Sequence, residues 1–291
     1  MSLALGCLLF FGFIRYTSGL FEKLSGQREF SPFSGWVLAG NTLIMYRHVE
    51  HREQDIPPPE MRPLHEMVLQ SLDTMPSTDR MPDWGMAYYF TWSLTSPLMI
   101  HRHVNLYDNP TNADLKKWAS VGGLYKNYAI FLIKKHPLPY VRYYIGQGLD
   151  WFIYPVIEFT NEFPEGGSRV KEGVRHWFGY KSTWLSSTSG NLYSLAYIPT
   201  VINILHLFMI MGIIAFYFLR IYKKVNTLFR KSIMLAGIYW LANFLFMVVS
   251  APIMLRYHLS IMIVDIAFVP VVWECIYRYM AAKTPQIQPT L

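Results

Sequence analysis

Cysteine is almost missing from this chain. Cys7 and Cys275 are the only two among 291 residues, and both fall in apolar stretches near opposite ends, so no disulfide framework is implied and the redox compartment is not legible from them. Acidic residues are scarce in one region above all. In the last hundred residues eight Lys and Arg face only Asp265 and Glu274, whereas from Arg15 to Leu192 eighteen basic residues nearly cancel seventeen acidic ones. The net charge of +7 is therefore a local excess and not the basic face of a folded module that nucleic-acid binding requires. Motifs are lacking as well. There is no P-loop, no GxSxG elbow, no Rossmann fingerprint and no HExxH pattern, nor an internal repeat or a low-complexity segment beyond Pro57-Pro58-Pro59. No cofactor is expected.

What the chain has in abundance is apolar surface, with 52% hydrophobic and 16% aromatic residues. Leu195 to Leu219 is a nearly unbroken apolar run, and a helix needs about 20 such residues to cross the hydrocarbon core. Directly after it come Arg220, Lys223, Lys224, Arg230 and Lys231 with no acid among them, the signature of a loop kept on the cytoplasmic side. Ile233 to Leu255 and Leu259 to Met280 read as two further spans, and Arg278 with Lys283 leaves the C-terminus cytoplasmic. Ser2 to Ile14 is apolar but only about two thirds of a span. No cleavable signal peptide is supported there. Two readings stay open: a short signal anchor extended through Leu20, or the tail of a longer helix, of which the second is favoured. The expected fold is mainly α, an integral membrane helical bundle of three clear spans plus a short N-terminal one, with a mostly helical extracytoplasmic domain. In residues this is a 1–20 N-terminal segment, a 21–192 extracytoplasmic helical domain, a 193–283 three-helix membrane region and a 284–291 cytoplasmic tail.

Within the extracytoplasmic segment, Trp36, Ala39, Leu43 and, less cleanly, Tyr46 recur at helical spacing. Leu64, Met67, Val68 and Leu72 form a second stripe opened by Pro63. Met75 to Trp84 reads as a loop. A third helix is expected after the cap candidates Thr111 and Asn112, through Leu115, Trp118, Gly122, Tyr125, Ala129 and Leu132, ending near His136 because Pro137 and Pro139 follow. Tyr140 to Ile157 is crowded with aromatics suited to a membrane interface or to stacking on sugars, while Gly146, Gly148 and Pro155 argue against a regular helix. Ser182 to Asn191 reads as a polar linker.

Inside the spans the polar residues stand out. Thr200, Asn203 and His206 share one helix face, with Asn203 roughly 12 Å and His206 roughly 16 Å from Leu195 along the axis. Tyr239, Asn243, Met247 and Ser250 form another stripe. Asp265 lies roughly 9 Å into the last span, and an ionisable group at that depth needs a partner facing the bundle. Arg256 and His258 are the nearest candidates, His206 a further one. Together these residues line an outer, net-positive pocket suited to a phosphate head group. The plainer account is that Asp265 and Arg256 pin two helices together. Glu274 and Arg278 read as a helix-end pair. His48 with His51, or His101 with His103, lack a second ligand cluster, and no metal site is assigned. Asp150, Glu158, Glu162 and Glu165 read as a solvated acidic loop, since a glycosidase pair is defined by spatial separation.

Four stretches carry a family resemblance: SPFSGWVLAGNTLIMYRHV (31–49), KNYAIFLIKKHPLPYVRYYI (126–145), YPVIEF (154–159) and APIMLRYHLSI (251–261). They resemble the C-terminal half of polytopic GT-C glycosyltransferases, which move a sugar from a polyprenyl-phosphate carrier to an extracytoplasmic acceptor. In that family the catalytic acids follow the first transmembrane helix of a long N-terminal bundle, which this chain lacks. The resemblance therefore implies a separated half or a product without its catalytic loop, and no catalytic residue is assigned. It also implies carrier-phosphate contact at Arg256-Tyr257, although His258 and Leu259 follow where the family's pattern often runs toward a proline. The expected binding residues are Arg256, Tyr257, His258, Asp265, Asn203 and His206. The expected partners are a membrane lipid or polyprenyl-phosphate sugar, with a protein partner in the membrane and no nucleic acid. The alternative reading is a non-enzymatic integral-membrane interaction subunit of a larger complex. A transporter is disfavoured, because the four spans hold one deep acid and no repeat symmetry.

Overall fold

Helices account for nearly all the regular structure, in a computed structural model that describes residues 2–75, 83–106, 114–155, 168–170, 172–185, 197–250 and 255–283. The chain divides into two compact units. One comprises Met1–Gly148 with Val249–Pro252, the other Leu149–Val248 with Ile253–Leu291.

The first unit is organised on α2 (Pro32–Tyr46). Ser31 is extended and Pro32 opens the first turn, where a missing N–H costs nothing and the ring pre-sets φ. The helix is buried over most of its circumference, including Asn41, Thr42, Ile44 and Met45, which is why its apolar stripe is blurred in sequence. It packs on α6 (Asp114–Lys135) and α4 (Asp83–Trp92). Trp36 anchors this packing: its indole N–H donates to the Thr91 carbonyl at 2.9 Å, and its ring lies 3.9 Å from Trp118 and 5.0 Å from Tyr125. α3 (Arg62–Thr74) buries Leu64, Val68 and Leu72 as its spacing predicts, and packs on α5 (Pro97–Leu106). α1 (Ser2–Ser25) touches α6.

Several boundaries differ from the sequence expectation. α1 continues past Leu20 to Ser25 and is long enough to span from Ala4. α4 takes in Asp83 and Trp84, which the proline-rich composition around them had marked as loop. α5 has no clean apolar stripe in the sequence, because its core-facing side buries His101 and Arg102 beside Leu98 and Met99. α6 ends at Lys135, as the prolines require. A new helix then opens on Pro137, α7 (Pro137–Tyr140), and continues as a π-helical turn (Val141–Ile145) into α8 (Gly146–Ile153). The glycines weakened the forecast but not the helix, since Tyr144, Trp151 and Phe152 bury their rings along it. Thr111 and Asn112 lie outside the described residues.

Two buried networks pair polar groups in this unit. Asp55 Oδ2 accepts from Tyr46 Oη at 2.9 Å and lies 2.6 Å from His136 Nε2. Tyr125 donates to the Leu98 carbonyl at 2.6 Å and so accepts from His101 Nδ1 at 3.1 Å. Burial holds His101 down to about 4 and lowers His65 as well. An unfolded histidine takes up its proton near about 6.5. The stability His101 contributes is thus complete above that pH and is lost as pH falls toward 4, on the order of 3 kcal/mol in all. Denaturant unfolding at pH 7 and pH 4.5 should show this loss, and His101→Phe should flatten part of the slope.

Among the described residues four helices are long and apolar enough to cross a membrane, and the second unit holds three of them. They are α10 (Ile198–Phe218), α11 (Thr227–Ser250) and α12 (Leu259–Ala281). With α1 they make this a mainly-α helical membrane protein. α11 begins six residues before its apolar run, because Asn226 accepts from the Phe229 N–H at 2.8 Å and caps it. Arg230 and Lys231 therefore lie in the opening turns of a helix and not in a loop. Phe216, Ile221, Ile233, Val272 and Ile276 form the core at this end. A small α9 (Glu172–Phe178) sits between two short strands, Ser168–Arg169 and Trp184–Leu185, paired antiparallel.

A buried aspartate and two histidines as candidate functional site

α10 buries one stripe: Pro199, Ile202, His206, Met209, Gly212 and Phe216. α12 buries Ile261, Asp265, Val272 and Ile276. Each helix thus places one polar residue where the three-and-four spacing calls for an apolar one. The two meet. His206 Nδ1 lies 2.5 Å from Asp265 Oδ2, and His206 Nε2 lies 3.1 Å from Nδ1 of His258, at the end of the 3₁₀ turn (Leu255–His258) that leads into α12. Asp265 and His258 are 0% exposed.

Aromatic rings close around this row. Phe152 stacks on His206 with centroids 4.8 Å apart, and its centroid is 5.2 Å from that of His258. Trp240 meets Phe152 edge-on at 5.6 Å and stacks on Phe244. Such walls exclude water, so every polar atom inside needs a protein partner or a ligand. Three have none among the described residues: His258 Nε2, Asp265 Oδ1 and Trp240 Nε1.

The hydrogen-bond row constrains those orphans. A carboxylate at Nδ1 requires an N–H there. If His206 Nε2 also donates, His258 Nδ1 accepts, and its Nε2 carries a hydrogen with nowhere to go. If His206 Nε2 accepts, His258 Nε2 is a bare lone pair. The first arrangement lets Asp265 and His206 be net neutral, as an ion pair or as a carboxylic acid on a neutral imidazole, whereas the second, with neutral histidines, leaves an uncompensated negative charge in a low-dielectric interior. In either net-neutral form His258 Nε2 is an unused donor beside an unused Trp240 donor.

Of the residues singled out in the sequence, His206, His258 and Asp265 are brought together, and the partner of Asp265 is His206. Arg256 lies on the same 3₁₀ turn, with its side chain outside the described residues. Tyr257 is exposed, and Asn203 is half-buried without a bond to any of the three. Thr200 is exposed, and Asn243 turns to the carbonyl of Tyr239 on its own helix. Ser250 has no described side chain. Sequence reasoning missed Phe152, Trp240 and Phe244. Phe152 was hidden in the aromatic crowd at 140–157, and Trp240 and Phe244 are each one position beyond the polar residues of the stripe noted on α11.

Elsewhere, Arg278 and Glu274 form the i,i+4 pair at 2.6 Å. His48 stacks on Tyr143, and His101 is committed to Tyr125. No group of three or more metal-ligating side chains is found among the described residues. Asp150 is exposed, and Glu158, Glu162 and Glu165 lie outside the described residues. The sequence matches no family model, no curated protein and no solved structure.

Proposed function

We propose that this protein binds the phosphate head group of a lipid-borne sugar in its membrane bundle, as a relative of the lipid-linked-sugar glycosyltransferases. The observation that carries the reading is the buried row Asp265–His206–His258 ending in an unsatisfied ring nitrogen. Ionisable groups at membrane depth are costly and mark functional sites by default. A net-neutral Asp265–His206 pairing that leaves a spare imidazole N–H on His258 suits an anionic oxygen, to which a charge-assisted hydrogen bond is about twice as strong as to a neutral acceptor. Arg256, two residues upstream in the sequence, is the basic residue this reading pairs with the phosphate. The Lys and Arg excess between α10 and α11 supports a cytoplasmic position for that loop, with the segment between α1 and α10 extracytoplasmic and the C-terminus cytoplasmic.

The test is polyprenyl-phosphate binding to the full chain reconstituted in nanodiscs. His258→Phe and Arg256→Ala should each weaken binding at least about tenfold, the loss of one charge-assisted contact of about 1.5 kcal/mol or more. Wild-type affinity in both variants would overturn the proposal.

A further inference from the structure

Between the first and second membrane helices, the described residues include one small module that exposes a cluster of aromatic rings. Its base is the two-residue ladder that pairs Ser168 with Leu185 and Arg169 with Trp184. Its body is α9, and the chain then turns at Gly179, whose φ of +66 lies in the left-handed region that glycine adopts without strain. The turn brings the rings of Phe178 and Tyr180 into a stack with centroids 5.7 Å apart. The result is an aromatic cluster at the tip of a clamped loop. Trp177 is 85% exposed, Phe178 64% and Tyr180 38%. Lys181 lies beside them, also exposed.

Single exposed aromatics need no explanation, but three in four residues on a structured tip do. We propose that this loop is an interfacial anchor that seats Trp177, Phe178 and Tyr180 in the head-group layer of the bilayer that the chain's own helices cross. Two features name the bilayer as occupant. The loop is tethered to it: from Leu185 to Ile198, the first residue of α10, are thirteen residue steps, a reach of at most about 45 Å. The chemistry fits as well, since Trp and Tyr rings concentrate at the membrane–water boundary and a neighbouring Lys meets lipid phosphates. The stacked pair on a fixed turn also pre-sets the tip, so little ordering is needed on insertion.

The experiment places an environment-sensitive nitrobenzoxadiazole dye on the full chain carrying Cys7→Ser, Cys275→Ser and Trp177→Cys, with a second version labelled through Lys181→Cys. Each is reconstituted in phosphatidylcholine–phosphatidylglycerol vesicles with nitroxide lipids labelled near the head group or near the chain end. The expected result at both positions is a blue-shifted emission, quenched more strongly by the shallow nitroxide than by the deep one. Water-like emission without quenching overturns the proposal. So does a blue shift without lipid quenching, which would mean that protein covers the tip, and so does stronger quenching by the deep nitroxide.

Discussion

Asp265→Ala should destabilise the membrane bundle by about 3–5 kcal/mol, the largest single-residue effect we expect in this protein. The carboxylate is fully buried and pairs with His206 at 2.5 Å. Removing it strands His206 with a charge or an unused N–H among Phe152, Trp240 and His258. The whole desolvation penalty of that group then falls on the folded state. The pair itself is not a large source of stability. Replacing both partners with apolar groups, as in His206→Phe with Asp265→Leu, should recover most of the loss, because two buried polar groups and their desolvation are removed together. Unfolding midpoints in detergent for the two single variants and the double variant form a cycle, and the coupling should be as large as either single loss. Additive losses would mean that the two side chains do not interact as described. The double variant should be stable yet fail to bind polyprenyl phosphate, which separates the stability role of the row from its binding role.

Gly35→Ala should be the most damaging change in the first unit, at about 3 kcal/mol or more. A Cβ built on Gly35 would sit 2.1 Å from the carbonyl oxygen of Gly122, and one on Gly122 would sit 2.5 Å from that of Pro32. These contacts are with backbone, so no side chain can swing aside, and α2 must move off α6 along the seam that holds Trp36, Trp118 and Tyr125. Gly122→Ala should behave alike. Gly12→Ala makes the control, since nothing lies within 4 Å of the added methyl there. It should leave the unfolding midpoint nearly unchanged, whereas Gly35→Ala should lower it with the buried tryptophans exposed earlier in the transition. A Gly35→Ala variant as stable as the wild type would show that the two helices do not approach through these glycines.

How much of this was legible beforehand differs from one feature to the next. The stripe Leu64, Val68 and Leu72 showed α3 at once, because an amphipathic helix writes its period of 3.6 into adjacent residues. The π-turn and α8 were obscured by Gly146 and Gly148. Helix propensity there is a penalty of about 1 kcal/mol per glycine, and burial of Tyr144, Trp151 and Phe152 outweighs it. The early start of α11 was visible in principle, as Asn226 is a good capping residue, but the apolar count begins only at Ile233 and drew the boundary there.

By itself the sequence determined that this chain is helical and crosses a membrane, and that Asp265 needs a partner within it. Those properties are local sums: about twenty apolar residues in a row, a basic excess beside them, one ionisable group at depth. Which partner Asp265 takes was decided only by tertiary structure. His206 lies 59 positions away, and the choice between it and the nearer His258 or Arg256 depends on how α10 and α12 are rotated about their axes. That rotation is set by the burial of Ile202, Met209, Ile261 and Val272 together, and by Phe152 arriving from outside both helices. No window along the chain contains that information, because packing satisfies all of these side chains at once.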